Sequence, residues 1–253
     1  LARHDLRGRH VVVTGASSGI GAALAVELGR RGAKVGLVAR RVDKLDEVRA
    51  QVAATGADVA VAAADVSDGP ATASAFALLA EALGPIYGVV ANAGVGSPTR
   101  GGRIDAERDA EVIRINVIGV INTLAAAQPT ILAARAGFLC AVSSIAGWRG
   151  LPGFAAYASS KAAVTTFMES LGVSMKRSAI TVTTVHPGFV RTPLTASNKK
   201  MPFLVEVDVA ARLMADGIER GKAEVNFPWQ MVLGMRAMRA MPGWLYRLVA
   251  SSK

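Results

Sequence analysis

VVVTGASSGIGAALAVELGRRG, residues 11–32, runs from three valines through glycines at 15, 19 and 21 into a helical pattern. The β-branched apolar run His10 to Thr14 predicts a strand covered on both faces. The pattern from Gly19 to Arg31 predicts the helix that follows. Gly15, Gly19 and Gly21 then occupy a strand-to-helix turn. There, bare backbone N–H groups and the positive end of the helix dipole can receive a pyrophosphate. Glycine removes the side chain that would block the approach. In a chain with 26 glycines the spacing alone is weak, and its position beside the first strand is what carries the reading. A purely structural tight turn is the competing explanation.

Outward from this unit the same rhythm repeats. Further short apolar runs fall at Lys34 to Ala39, Asp58 to Ala64, Tyr87 to Ala93, Gly137 to Ser143, Thr181 to His186 and Ala223 to Phe227. Helical patterns fill the gaps at Asp43 to Ala54, Gly69 to Leu83, Asp105 to Ala134, Phe154 to Lys176 and Val207 to Arg220. Such alternation predicts an α/β fold with a doubly wound parallel sheet of about seven strands between helical layers. No repeat or linker divides residues 1–253, so a single domain is expected, with its core at about 8–228. Residues 189–205 interrupt the rhythm after a strand and are expected to form a lid loop.

The chain is 51% hydrophobic and 19% charged, which excludes a disordered protein. Its net charge of +10 raises the question of nucleic acid, but the cations are scattered, no binding motif is present and only 5% of residues are aromatic. No nucleic-acid partner is expected. An anionic cofactor or lipid surface accounts for the charge more simply. Cys140 is the one cysteine, which excludes an intramolecular disulfide and a cysteine zinc site. It lies mid-strand and is expected to be an inert buried thiol. Leu1 to His10 is charged and has no apolar core, so no signal peptide is expected and the reading is cytoplasmic.

The end of the second strand bears on nucleotide choice. Sheets that bind NAD typically place an acid there for the ribose hydroxyls. This chain has Ala39, then Arg40 and Arg41. A carboxylate would repel a 2′-phosphate, whereas arginine grips one bidentately. NADP(H) is therefore expected over NAD(H), with a solvated basic loop as the alternative. Further along, YASSK at 157–161 sets a phenol and an ammonium one helical turn apart. Ser143 and Ser144 end a predicted strand upstream. Hydroxyl, phenol and ammonium could converge on one substrate oxygen at the carboxyl ends of the strands.

Taken together, TGASSGIG at 14–21, DV at 65–66, NAG at 92–94, the Asn of INVIG at 116, SSIAG at 143–147, YASSK at 157–161 and PGFVRT at 187–192 resemble the classical short-chain dehydrogenase/reductase family, in order and spacing, across residues 8–228. The resemblance implies a Rossmann-type fold and an NADP(H)-dependent oxidoreductase that interconverts a ketone or aldehyde and an alcohol. By the same resemblance Tyr157 is the acid/base and Lys161 lowers its pKa and holds the nicotinamide ribose. Ser144, thirteen residues before Tyr157, donates to the substrate oxygen, and Asn116 holds a water that links Lys161 to solvent. The resemblance puts Ser17, Ser18 and Ile20 at the adenosine ribose and phosphates, and Asp65, with Val66 beside it, at the adenine amine. It puts Asn92, Ala93 and Gly94 on the nicotinamide side, and Pro187, Gly188, Val190 and Thr192 along the cofactor, the last two at the carboxamide. Two departures stand out. Ala91 replaces the first of two asparagines, and Ser18 stands where many NADP-preferring members carry a cation, which leaves Arg40 as the expected anchor. The alternative to an enzyme is a non-catalytic NADP(H)-binding regulator or a membrane-associated scaffold.

His186 precedes Pro187 without clustered carboxylates, so a structural role near the cofactor is expected and no metal. Glu169 is expected at the surface. Trp148 and Phe154 are open to pocket or core. Residues 229–253 carry Trp229, Met231, Leu233, Met235, Met238, Met241, Trp244, Leu245 and Leu248 with Arg236, Arg239 and Arg247 and no acid. Subunit packing, a roof on the substrate pocket, and peripheral contact with the inner face of a membrane are all consistent with that pattern. Met-rich walls suit a lipophilic substrate. The family resemblance and the small-residue faces of the two longest helices point to a homodimer or homotetramer.

Overall fold

Seven parallel strands form one sheet in a computed structural model that describes residues 4–98, 102–196, 198 and 200–251. Residues 99–101, residues 197 and 199 of the expected lid and the last two residues of the tail lie outside the described residues. The strands are β1 His10–Thr14, β2 Lys34–Ala39, β3 Val59–Ala63, β4 Ile86–Ala91, β5 Gly137–Val142, β6 Ile180–Pro187 and β7 Glu224–Phe227. Their order is β3-β2-β1-β4-β5-β6-β7. The order reverses between β1 and β4, which opens a crevice at the carboxyl ends of those strands.

Helices α1 Gly19–Arg30, α2 Val42–Ala53 and α7 Val207–Glu219 cover one face. Helices α3 Gly69–Leu83, α5 Gly119–Ala134 and α6 Ala155–Ser174 cover the other. Successive strand side chains point to opposite faces. Val11 and Val13 accordingly join Leu24, Leu28 and Ile218 in one core, while Val12 joins Phe76, Leu124 and Met168 in the other. Leu24, Leu28 and Ile218 are fully buried, and each such side chain contributes about 1.5–3 kcal/mol. Asp68 caps α3 by accepting from the Ala71 amide at 2.9 Å. Arg31 binds Glu27, Asp216 and Glu219 at 2.7 to 2.9 Å and so ties α1 to α7.

The stretch expected as one helix from Asp105 to Ala134 is divided. Helix α4 (Ala106–Ile113) passes through a π-helical turn, Arg114–Ile118, into α5. The combined run is long and apolar enough to cross a membrane by composition. Val112, Val120, Leu124 and Ile131 of this run are buried within the protein, and Ile113, Ile118 and Leu132 are exposed. The expected lid is pinned at its base by a parallel bridge between Val190 and Val205 and by the ion pair of Arg191 with Glu206 at 3.0 Å. After β7 the tail folds into α8 (Trp229–Ala240) and α9 (Gly243–Ser251).

At the opposite, amino-terminal end of the sheet, His4 is buried. Its ring bonds the Tyr87 hydroxyl at 2.8 Å and the Thr181 hydroxyl at 2.7 Å. The Arg9 guanidinium sits 4.8 Å over the Tyr87 ring. These contacts join the chain start to β4 and β6 away from the crevice.

Candidate active site

The crevice between β1 and β4 widens into a cleft of about 420 Å³. The glycine turn forms one wall. Gly15 has φ +66°, and a Cβ there would fall 2.7 Å from Ala93 Cα. A Cβ on Gly21 would fall 2.4 Å from both Asn92 Nδ2 and the Gly15 carbonyl oxygen. Only glycine allows the turn to lie this close to the end of β4. Asn92 closes the junction by donating Nδ2 to the Thr14 carbonyl at 3.0 Å.

Of the residues singled out from sequence, Gly15, Ser17, Ser18, Gly19, Ile20, Arg40, Asp65, Val66, Asn92, Ala93, Gly94, Ser144, Tyr157, Lys161, Pro187, Gly188, Val190 and Thr192 all line this cleft. Gly21 and Asn116 do not; they stand behind its wall. The π turn carries Asn116, whose Oδ1 accepts from the Val95 amide at 2.8 Å. Its Nδ2 donates to the Val95 carbonyl and the Ser160 hydroxyl, both at 2.9 Å. Both amide hydrogens are thus spent on fixing the loop after β4 and α6.

Tyr157 and Lys161 rise from the first two turns of α6, on one face as the spacing requires. Lys161 is buried, and burial pushes its ammonium down to about 8. Its Nζ donates to the Val142 carbonyl at 2.9 Å and lies 5.8 Å from the centre of the Tyr157 ring. Burial pushes the phenol up, with the Ser144 hydroxyl acting in the opposite direction. The expected lowering of Tyr157 by Lys161 is therefore not what this geometry produces. Desolvation is the larger influence, and the Ser144 hydrogen bond offsets only part of it.

The two serines after β5 divide cleanly. Ser143 donates to the Lys161 carbonyl at 2.7 Å and shares a hydrogen bond with Thr165 at 2.8 Å, so it serves the scaffold. Ser144 faces the cleft, accepts from the Ala146 amide at 3.1 Å and caps a short 3-10 turn, Ile145–Trp148. Behind them His186 is buried between Thr165 at 3.1 Å and Asn226 at 2.8 Å, a structural position. Trp148 packs on the His186 ring at 5.3 Å, and Phe154 is half-exposed. Glu169 is exposed. Cys140 is buried and pushed up to about 12, which leaves it unreactive. Among the described residues no cluster of metal ligands occurs.

At the nucleotide end Arg40 pairs with Asp65 at 3.3 Å. Burial alone would raise the Asp65 carboxyl, but the Ser67 amide and hydroxyl and Arg40 hold it below its ordinary value. Arg41, left out of the site by sequence reasoning, also lines the cleft. Its Nη2 donates to the Ser17 and Ser18 hydroxyls, each at 3.0 Å. The signal for it was the second arginine of the pair, whose reach across the glycine turn no spacing rule gives.

A doubly wound parallel sheet with a glycine turn and a cleft at its topological switch point defines a Rossmann-type protein. The family description that matches is short chain dehydrogenase, over residues 9–202. The chain belongs to the short-chain dehydrogenase/reductase family of oxidoreductases. It is 44% identical over 247 residues to an oxidoreductase of Myxococcus xanthus, covering 97% of this chain and 98% of that one. A short-chain dehydrogenase/reductase of Burkholderia phymatum solved in complex with NAD superposes with a TM-score of 0.86 at 23% identity, over 92% of this chain and 93% of that one. An actinorhodin polyketide ketoreductase solved with NADPH superposes with a TM-score of 0.80 at 26% identity, over 86% of this chain and 95% of that one.

Proposed function

We propose that the chain is an NADP(H)-dependent oxidoreductase that interconverts a ketone or aldehyde and an alcohol. The observation that carries this reading is the convergence of Ser144, Tyr157 and Lys161 in the cleft that the glycine turn opens. The residues fit a dinucleotide: side-chain-free backbone at Gly15 and Gly19, and a buried ammonium with donors to spare at Lys161. Bound there, the nicotinamide cofactor supplies the hydride chemistry.

The chain's own residues handle the proton. In carbonyl reduction Ser144 donates a hydrogen bond to the substrate oxygen and Tyr157 gives it a proton. A phenol held above its ordinary pKa stays protonated at neutral pH and is ready to donate. Lys161 stabilises the phenolate left behind and holds the nicotinamide ribose with its remaining N–H donors. In alcohol oxidation the roles of Tyr157 reverse. Because both Asn116 amide hydrogens are engaged, a relay water on this residue would donate to one of its oxygens, Oδ1 or the main-chain carbonyl.

The preference for NADP(H) rests on Ala39 in place of an acid and on the two guanidiniums at the rim. Arg41, already bonded to Ser17 and Ser18, is the better placed of the two, since Arg40 shares its charge with Asp65. Fluorescence titration is the test. Unmodified protein is expected to bind NADPH more tightly than NADH. Arg41→Ala should weaken NADPH binding by about tenfold while leaving NADH nearly unchanged. Equal losses for both nucleotides would overturn the assignment.

The substrate is proposed to be lipophilic, because Leu194 lines the cleft and Met231 backs Gly188. Assembly as a homodimer or homotetramer is proposed through α5 and α6, which expose Leu132 and Val173 to 47% and 71%. Size-exclusion chromatography that gave monomer alone at micromolar concentration would contradict it.

A further inference from the structure

Helix α8 has two faces of opposite character. On the inner one, Val232 and Met235 are buried with Ile145, and Met231, Met238, Trp148 and Leu151 pack around them. A Cβ on Gly188 would lie 2.7 Å from the Met231 sulfur, so this face backs the cleft behind Gly188. Helix α9 is held as well. The Tyr246 hydroxyl donates to the Gly150 carbonyl, and the Arg149 guanidinium lies 4.5 Å over the Tyr246 ring. The tail is therefore a docked pair of helices with a defined outer surface.

On that outer surface the exposed residues of α8 include Trp229, Leu233, Arg236, Ala237 and Ala240, at the i, i+4, i+7, i+8 and i+11 spacing of one helical stripe, with Gly234 and Arg239 exposed at its flanks. Trp229 is 70% exposed and Leu233 64%, and Trp244 at the start of α9 is 66% exposed. Arg239 and Arg247 are exposed on the same two helices. Residues 225–251 contain no Asp or Glu. A surface for a second copy or an ordinary protein partner needs the apolar residues alone. Arg236, Arg239 and Arg247 form no ion pair among the described residues, and the Arg236 guanidinium lies 5.9 Å over the Trp148 ring at the edge of the inner face. Three exposed cations beside two exposed tryptophans match a surface that is apolar beneath and anionic on top.

We infer that the outer face of α8 and α9 docks on an anionic lipid bilayer. Trp229, Leu233 and Trp244 enter the boundary between headgroups and acyl chains, and Arg236, Arg239 and Arg247 meet the anionic headgroups. Docking this face sets the inner face of the same helix, and the cleft it walls, close to the membrane. If the oxidoreductase reading above holds, an apolar carbonyl or alcohol reaches Ser144 and Tyr157 from the lipid phase; the docking itself does not depend on that reading.

Vesicle flotation of the full chain tests the inference. The protein is expected to float with vesicles of phosphatidylcholine and phosphatidylglycerol, but not with phosphatidylcholine alone, and to be released as salt screens the headgroups. A Trp229→Ser/Trp244→Ser variant alters only exposed side chains. It should partition about tenfold more weakly and bind NADPH as before, which checks its fold. Absence of flotation on anionic vesicles, or equal flotation on neutral ones, overturns the inference. So does a variant that moves from a larger to a smaller species in size exclusion while neither form binds vesicles, because a second copy then covers the face.

Discussion

Tyr157→Phe is expected to lower turnover in carbonyl reduction by roughly 10³-fold while leaving NADPH affinity nearly unchanged. The substitution deletes one oxygen and keeps the ring that packs beneath Lys161. Loss confined to kcat identifies a group acting in the transition state. Equal loss in cofactor affinity would mean that the phenol merely supports the fold. The same kinetics over pH carry a second signature. Lys161 is charged below about pH 8 and neutral above it. In the proposed mechanism its charge stabilises the phenolate, so reduction by the unmodified protein should decline as pH rises through that value. A profile flat well beyond pH 8 would remove Lys161 from the proton chemistry.

Gly21→Ala is expected to reduce NADPH affinity by about 100-fold and to destabilise the fold by about 1–3 kcal/mol. One methyl group suffices because it would stand 2.4 Å from a backbone oxygen, that of Gly15, as well as from Asn92. The Asn92 amide could swing away, but the Gly15 carbonyl moves only with the turn itself. Displacing the turn misplaces Ser17, Ser18 and the first amides of α1 together. Titration with NADPH alongside a thermal melt measures both effects. Native affinity with a native melting temperature would show that the turn has slack the geometry denies.

Most of the architecture was legible because parallel strands buried on both faces are short apolar runs, and seven of them separated by helical patterns leave few alternatives. Strand ends were found to within about two residues, where hydrogen bonding rather than composition sets the limit. The π turn at Arg114–Ile118 was invisible because one inserted residue shifts the apolar stripe without breaking it. The division of the tail was within reach: Pro242 and Gly243 mark the end of α8. In the cleft, the preference for Ser144 over Ser143 came from the family resemblance, and the two hydroxyls have different partners, Ser143 on α6 and Ser144 at the cleft. Arg41 was not legible, because a long side chain at a helix start is aimed by the loop it leaves. The phenol's shift was misjudged for a related reason: spacing gives the neighbour but not the desolvation.

The His4, Tyr87 and Thr181 contacts give the sheet a polarity of purpose. Every group proposed to touch cofactor or substrate sits where strands finish, and this buried clasp sits where they start. Thermal tolerance and chemistry are therefore addressable separately. Substitutions in the clasp are expected to move the melting temperature while leaving the geometry of the cleft in place.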